Sequence, residues 1–167
     1  NDFQILESLR QQVQLAAGLD SKLILDKAAM KRAMACLHDF RGHLEGVPEK
    51  NIRAVATHTL RVSQNTQDFI ECAADAFPAP IQVISGIEEA RLIYKGVAHI
   101  SDLHQQILVV DIGGGSTECI IGERFEPRSL ESLQMGCVSF GRRYFPEGLI
   151  SPDNYRNAYD GARQQAI

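Results

Sequence analysis

Three consecutive glycines, Gly113, Gly114 and Gly115, stand between the acidic Asp111 and the hydroxyl pair Ser116 and Thr117. Lacking a Cβ, glycines let backbone N–H groups come close to an anion and keep positive φ accessible; with the two hydroxyls as further donors, the run could cradle a phosphate. Asp111 alone would repel that phosphate. Its place makes sense if it holds a cation, directly or through water, or positions a water nucleophile. Two common glycine-rich nucleotide loops do not fit: no lysine follows the glycines as in a P-loop, and a strand follows where a dinucleotide-binding turn has a helix. The bland alternative is a glycine-rich hairpin turn without a ligand.

The elements around this run must hold it in place. Residues 107–110 are a short, fully apolar strand leading to Asp111, and residues 116–135 read as strand, turn, strand, with the turn near Gly122 and Glu123. Upstream, residues 3–15 alternate imperfectly and predict a long strand. Asp26 is a candidate N-cap for an amphipathic helix that ends near Gly46, Val47 and Pro48. A short strand over 52–56, a polar segment, a helix over 67–76 stopped by Pro78 and Pro80, a strand over 81–84 and a helix over 88–97 follow. Such alternation predicts an α/β layer with a mainly parallel sheet. The polar stretch 101–106 marks a boundary, giving domains 1–103 and 104–167. Gly136 and Pro146 bracket a further helix with Phe140 and Tyr144, and Ser151 and Pro152 are suited to cap and begin a last one.

Composition narrows the function classes. The 167 residues are 44% hydrophobic and 23% charged, which suits a folded globular chain and excludes a disordered one. With 17 basic against 21 acidic residues and no basic block longer than two, nonspecific nucleic-acid binding is disfavoured. No apolar run approaches the roughly 18 residues that a membrane span needs, and residues 1–3 show no signal-peptide features. Cys36, Cys72, Cys119 and Cys137 include no C-x-x-C pair and read as reduced thiols of a cytoplasmic protein, and the histidines form no zinc pattern.

The stretch VVDIGGGSTE at 109–118 resembles the second phosphate-binding motif of the superfamily of acetate and sugar kinases, heat-shock chaperones and actin. SGIEEARLIYKGV at 85–97 and ATHTLR at 56–61 resemble more narrowly the exopolyphosphatase and guanosine pentaphosphate phosphohydrolase family. VQLAAGL at 13–19 and MGCVSFGRRYFP at 135–146 carry the resemblance over essentially the whole chain. It implies a two-lobed, ribonuclease-H-like α/β fold of the actin-like ATPase superfamily with the active site between the lobes. It also implies Mg2+ dependence and hydrolysis of terminal phosphoanhydride bonds of polyphosphate or guanosine pentaphosphate, a chemistry of the stringent response.

The same resemblance assigns roles. Glu89, the second Glu of the Glu-Glu-Ala-Arg motif, is the implied general base; a carboxylate near a helix start beside a phosphate can orient and deprotonate a water. Adjacent helical residues point about 100° apart, so Glu88 and Glu89 cannot both face a reacting group. Glu118 carries over beside Asp111 as a metal or water-positioning residue, and on an extended segment the two flank the glycine turn from opposite strands. Arg61 is the candidate for gripping a chain phosphate, since a guanidinium takes two oxygens at once, and Asn65 follows at the family's spacing. Gly113, Gly114, Gly115, Ser116 and Thr117 are the implied phosphate donors. Arg10 matches a basic residue of the family or is a surface charge, His58 serves catalysis or a local backbone bond, and Arg91 is expected to pair with an acid on its own helix.

The superfamily's first phosphate hairpin, which the family places ahead of residues 3–15, is absent from the sequence, as is the end of the second lobe. The chain is therefore expected to be an internal fragment, inactive by itself, of a protein that resemblance suggests is a homodimer. A kinase of the same superfamily and a non-catalytic polyphosphate- or nucleotide-binding regulator remain as alternatives; a base at Glu89 favours the hydrolase.

Overall fold

The computed structural model describes residues 4–100 and 105–166. They divide into two compact units, Asn1–Ile84 and Ser85–Ile167.

The first unit is organised by a capped helix. Asp26 accepts the Ala29 N–H at 2.6 Å and so starts α1, Lys27–Gly42. The small residues Ala29 and Ala33 let α1 pack tightly against Leu25, Leu60, Phe69 and Ala73. Two short strands, β1 (Ala54–Ala56) and β2 (Ile81–Val83), pair in parallel with Ala54 opposite Ile81 and Ala56 opposite Val83. Between them lie α2 (His58–Val62) and α3 (Thr66–Ala76). The segment expected to be only polar connection thus contains α2, with Leu60 buried on its inner side.

The long strand expected over residues 3–15 does not form. Residues 4–14 take no regular structure, residues 4–12 are exposed, and a 3-10 turn follows at Leu15–Gly18. A strand needs a partner for its N–H and C=O groups, and among the described residues none lies alongside this segment. Gln14, at φ 54°, turns the chain toward α1. At Gly18 it passes so close that a Cβ would lie 2.3 Å from that of Ala29.

The second unit is a helix laid on a meander. Ser85 Oγ accepts from the Glu88 N–H at 3.2 Å at the start of α4, Gly86–Ile100. Strands β3 (Gln106–Ile112), β4 (Thr117–Glu123) and β5 (Glu126–Leu133) form an antiparallel sheet in the order β3-β4-β5. Ala90, Tyr94 and Ala98 of α4 bury themselves against Ile120, with Ile107, Val109 and Leu130 around them. Tyr94 lies flat against the backbone of Gly122, where a Cβ would come within 2.3 Å of Cζ. The β4–β5 turn falls at Arg124 and Phe125, two residues later than expected, with Arg124 at φ 55°. Helices α5 (Cys137–Tyr144) and α6 (Pro152–Gln165) follow, and Ser151 caps α6 through the Asn154 N–H at 3.1 Å as expected.

The boundary expected between residues 103 and 104 lies outside the described residues. The two compact units divide before Ser85, so that α4 lies in the same unit as β3, β4 and β5. No helix among the described residues is long and apolar enough to cross a membrane.

Candidate phosphate-binding site

The glycine run closes the β3–β4 hairpin. Ile112 pairs with Thr117, and inside that pair the Gly113 N–H donates to the Ser116 carbonyl at 2.9 Å. The first turn of α5 then takes hold of the loop from one side. Cys137 N–H donates to the Gly113 carbonyl at 2.9 Å, and the Val138 and Ser139 N–H groups donate to that of Gly114 at 2.9 and 3.0 Å. Ser139 Oγ donates to the Gly115 carbonyl at 3.3 Å and accepts the Gly136 N–H at 3.1 Å. Thr117 Oγ1 donates to the Met135 carbonyl at 2.6 Å, tying the strand to the same connection.

These bonds set the direction of the loop's donors. In a trans peptide unit the C=O and the following N–H point opposite ways. With the carbonyls of Gly113, Gly114 and Gly115 turned to α5, the N–H groups of Gly114, Gly115 and Ser116 turn away from it together. Among the described residues no acceptor takes these three donors. Gly115 and Ser116 are buried, and buried N–H groups need an acceptor, so the loop presents a set of donors suited to an anion. Gly113 and Gly114 do not use the positive φ expected of them. Close packing needs glycine here: Gly136, read from the sequence only as a helix boundary, sits where a Cβ would lie 2.4 Å from the Gly115 nitrogen and 2.6 Å from the Gly114 oxygen.

Two carboxylates flank the loop. Asp111 on β3 and Glu118 on β4 are direct cross-strand partners, which places them side by side on one face of the sheet. Glu118 is only 1% exposed, and its Oε1 accepts from Ser132 Oγ at 2.8 Å. Like charges in direct opposition are unfavourable unless a cation lies between them. Both donors are hard oxygens, and no cluster of three or more His, Cys, Asp or Glu residues forms among the described residues. That donor set is of the kind that holds a hard divalent cation.

Helix α4 brings its first turn to the same end of the sheet. Tyr94 covers Gly122 and Ala90 packs with Ile120. One helical turn back from Ala90, about 5.4 Å, reaches Gly86, as two residues of strand back from Ile120 reach Glu118, so the first turn of α4, residues 86–89, lies toward the Glu118 end of the sheet. Glu88 is committed to Arg91 through bonds of 2.5 and 2.7 Å, and the Arg91 hydrogen bond holds its carboxyl below the usual 4.5. Glu89 is half-buried.

Arg61 and Asn65 belong to the first unit. Arg61 follows the C-terminal end of β1, and its Nη1 donates to the Ile84 carbonyl just beyond β2 at 2.9 Å. Asn65 has its amide engaged on the backbone: Oδ1 accepts from the Leu25 N–H at 2.8 Å and Nδ2 donates to the Leu25 carbonyl at 3.0 Å. This double bond to one residue pins the chain ahead of α1, a structural use that its spacing in the sequence did not disclose. Arg10 is exposed in the irregular segment.

A glycine hairpin whose amides face away from a supporting helix, with a carboxylate pair at its base and a glutamate-bearing helix over the sheet, has the geometry of a candidate anion site in an α/β chain. The chain belongs to the Ppx/GppA phosphatase family, which it matches over residues 1–166. It is 46% identical over 165 residues to a Haemophilus influenzae protein provisionally named an exopolyphosphatase, covering 99% of this chain and 50% of the relative. It is 47% identical over 164 residues to a guanosine-5'-triphosphate,3'-diphosphate pyrophosphatase of Vibrio vulnificus, covering 98% of this chain and 33% of the relative. Among solved structures, an exopolyphosphatase from Cytophaga hutchinsonii superposes with a TM-score of 0.83 at 28% identity, over 93% of this chain and 50% of that one. The chain thus spans between a third and a half of the length of these relatives.

Proposed function

We propose that the protein hydrolyses terminal phosphoanhydride bonds of inorganic polyphosphate or guanosine pentaphosphate, with the substrate phosphate on the glycine loop. The observation that carries this reading is the common direction of the Gly114, Gly115 and Ser116 N–H groups, set by the bonds from α5 to the loop carbonyls. Donors fixed in advance stabilise the charge that builds on the phosphoryl oxygens without reorganising during reaction. Ser116 and Thr117 complete the loop, although the Thr117 hydroxyl is spent on the Met135 carbonyl.

Asp111 and Glu118 are the residues to hold Mg2+, which when bound supplies charge neutralisation at the phosphate oxygens. Glu89 is the proposed base. It takes a proton from the attacking water as the water oxygen bonds to phosphorus and the bridging P–O bond breaks, releasing inorganic phosphate and the shortened chain. Arg61, oriented by the Ile84 carbonyl, has the chemistry to grip a further phosphate.

The test is phosphate release by the protein, purified at its full natural length, from long-chain polyphosphate and from guanosine pentaphosphate, with Mg2+ and with excess chelator. Metal-dependent release from at least one substrate is expected. Tight binding of both without release would instead make the protein a polyphosphate- or nucleotide-binding regulator.

A further inference from the structure

Glu118 is a carboxylate almost wholly withdrawn from water, and its hydrogen-bonding partner is set by the sheet. Its register partner on β3 is Asp111 and its register partner on β5 is Ser132, so the three side chains form one row across the strands. The row lies on the face that carries Ile120 and Leu130, the face covered by α4. Within it Ser132 supplies a neutral donor, with Oγ 2.8 Å from Oε1 of Glu118. A buried carboxylate with one oxygen fixed by a hydroxyl cannot turn freely about its last torsion, and its second oxygen remains for another partner. Asp111, exposed on the other side of Glu118, has the opposite character.

We infer that Ser132 is a positioning residue: its hydroxyl holds the Glu118 carboxylate in the orientation in which it joins Asp111 in binding a divalent cation. This rests on the reading of Glu118 as a cation ligand. Partners that orient metal-binding carboxylates from behind commonly matter about tenfold or more to metal affinity, even though they never touch the ion. A serine that merely satisfied a buried oxygen would affect stability and leave cation affinity untouched.

The two roles separate in a Mn2+ titration of the purified protein, read from the loss of the free-ion paramagnetic resonance signal. Circular dichroism and urea unfolding of every variant run alongside. Ser132→Ala is expected to weaken Mn2+ binding about tenfold with its fold retained, Ser132→Thr to restore it, and Glu118→Gln to weaken it at least as much as Ser132→Ala. Wild-type affinity in Ser132→Ala, together with weakened binding in Glu118→Gln, would overturn the inference and leave Glu118 as a ligand. Wild-type affinity in Glu118→Gln, or no uptake by the wild type, would overturn the underlying reading of Glu118 itself. Should Ser132→Ala fail to fold, Ser132→Cys replaces it, since a thiol keeps the size but donates weakly. Undiminished Mn2+ affinity in that variant would overturn the inference equally.

Discussion

Gly136 leaves no room for a side chain beside Gly115: a Cβ on Gly136 would lie 2.4 Å from the Gly115 nitrogen. The two glycines belong to different elements, and their contact is what lets the first turn of α5 reach the loop carbonyls. Gly136→Ala must push the loop and the helix apart, at a cost of about 1–3 kcal/mol in stability. Because the displaced carbonyls no longer fix the opposing N–H groups, phosphate or tripolyphosphate binding by calorimetry should weaken about tenfold or more. Binding and thermal stability both equal to wild type would show that the contact does not support the cradle.

Gly96 gives the opposite expectation. It lies exposed in the middle of α4, and a Cβ there meets nothing within 4 Å. Gly96→Ala should stabilise the protein by about 0.5–1 kcal/mol, because alanine has less backbone freedom to lose and no clash to relieve. Chemical denaturation is the measurement, and a lowered midpoint would mean that the surface around Gly96 is not open.

Glu88 and Glu89 should differ in kinetics, since they point about 100° apart on α4 and Glu88 is paired with Arg91. In the protein at its full natural length, Glu89→Gln removes a base while keeping size and polarity, and turnover should fall by roughly a hundredfold or more with substrate affinity nearly intact. Glu88→Gln breaks the pair with Arg91 on the helix surface and should leave turnover within about threefold. Equal losses in the two variants would show that the Glu88–Arg91 pair, not a base at Glu89, supports the activity.

What the sequence disclosed follows from how local each cause is. The caps at Asp26 and Ser151 were legible because an N-cap is a contact over three residues. The pairing of Asp111 with Glu118 was legible because a short hairpin fixes its own register. The strand expected over residues 3–15 was not, since pairing depends on a partner that alternation in one segment cannot supply. Gly122 misled for a different reason: it reads as a turn glycine but is small to accommodate the ring of Tyr94, and the turn is made by Arg124. Ser132 gave no signal, and Gly136 read only as the boundary of a helix. Their importance lies in what stands opposite them in space, Glu118 and Gly115, and single-residue chemistry does not encode that.

Tyr94 offers a test of the packing that places α4 over the sheet. It is fully buried, its hydroxyl donates to the Arg124 carbonyl at 3.0 Å, and its ring fills the space above Gly122. Burial pushes its ionisation above the ordinary 10.0, and the negative charge of Glu123 adds to the effect. The folded protein therefore keeps a proton that the unfolded chain releases, so the stabilisation is complete below about pH 10 and declines as pH rises further. Tyr94→Phe retains the ring and loses the hydrogen bond, costing about 1 kcal/mol near neutral pH. It also removes the titrating group, so its stability should fall less steeply in alkali than that of the wild type. Urea unfolding of both proteins from about pH 7 to about pH 11 should give curves that are separated at the low end and converge above about pH 10. Curves that stay parallel across that range would mean that the Tyr94 hydroxyl reaches water, and that α4 does not seal the sheet at Gly122.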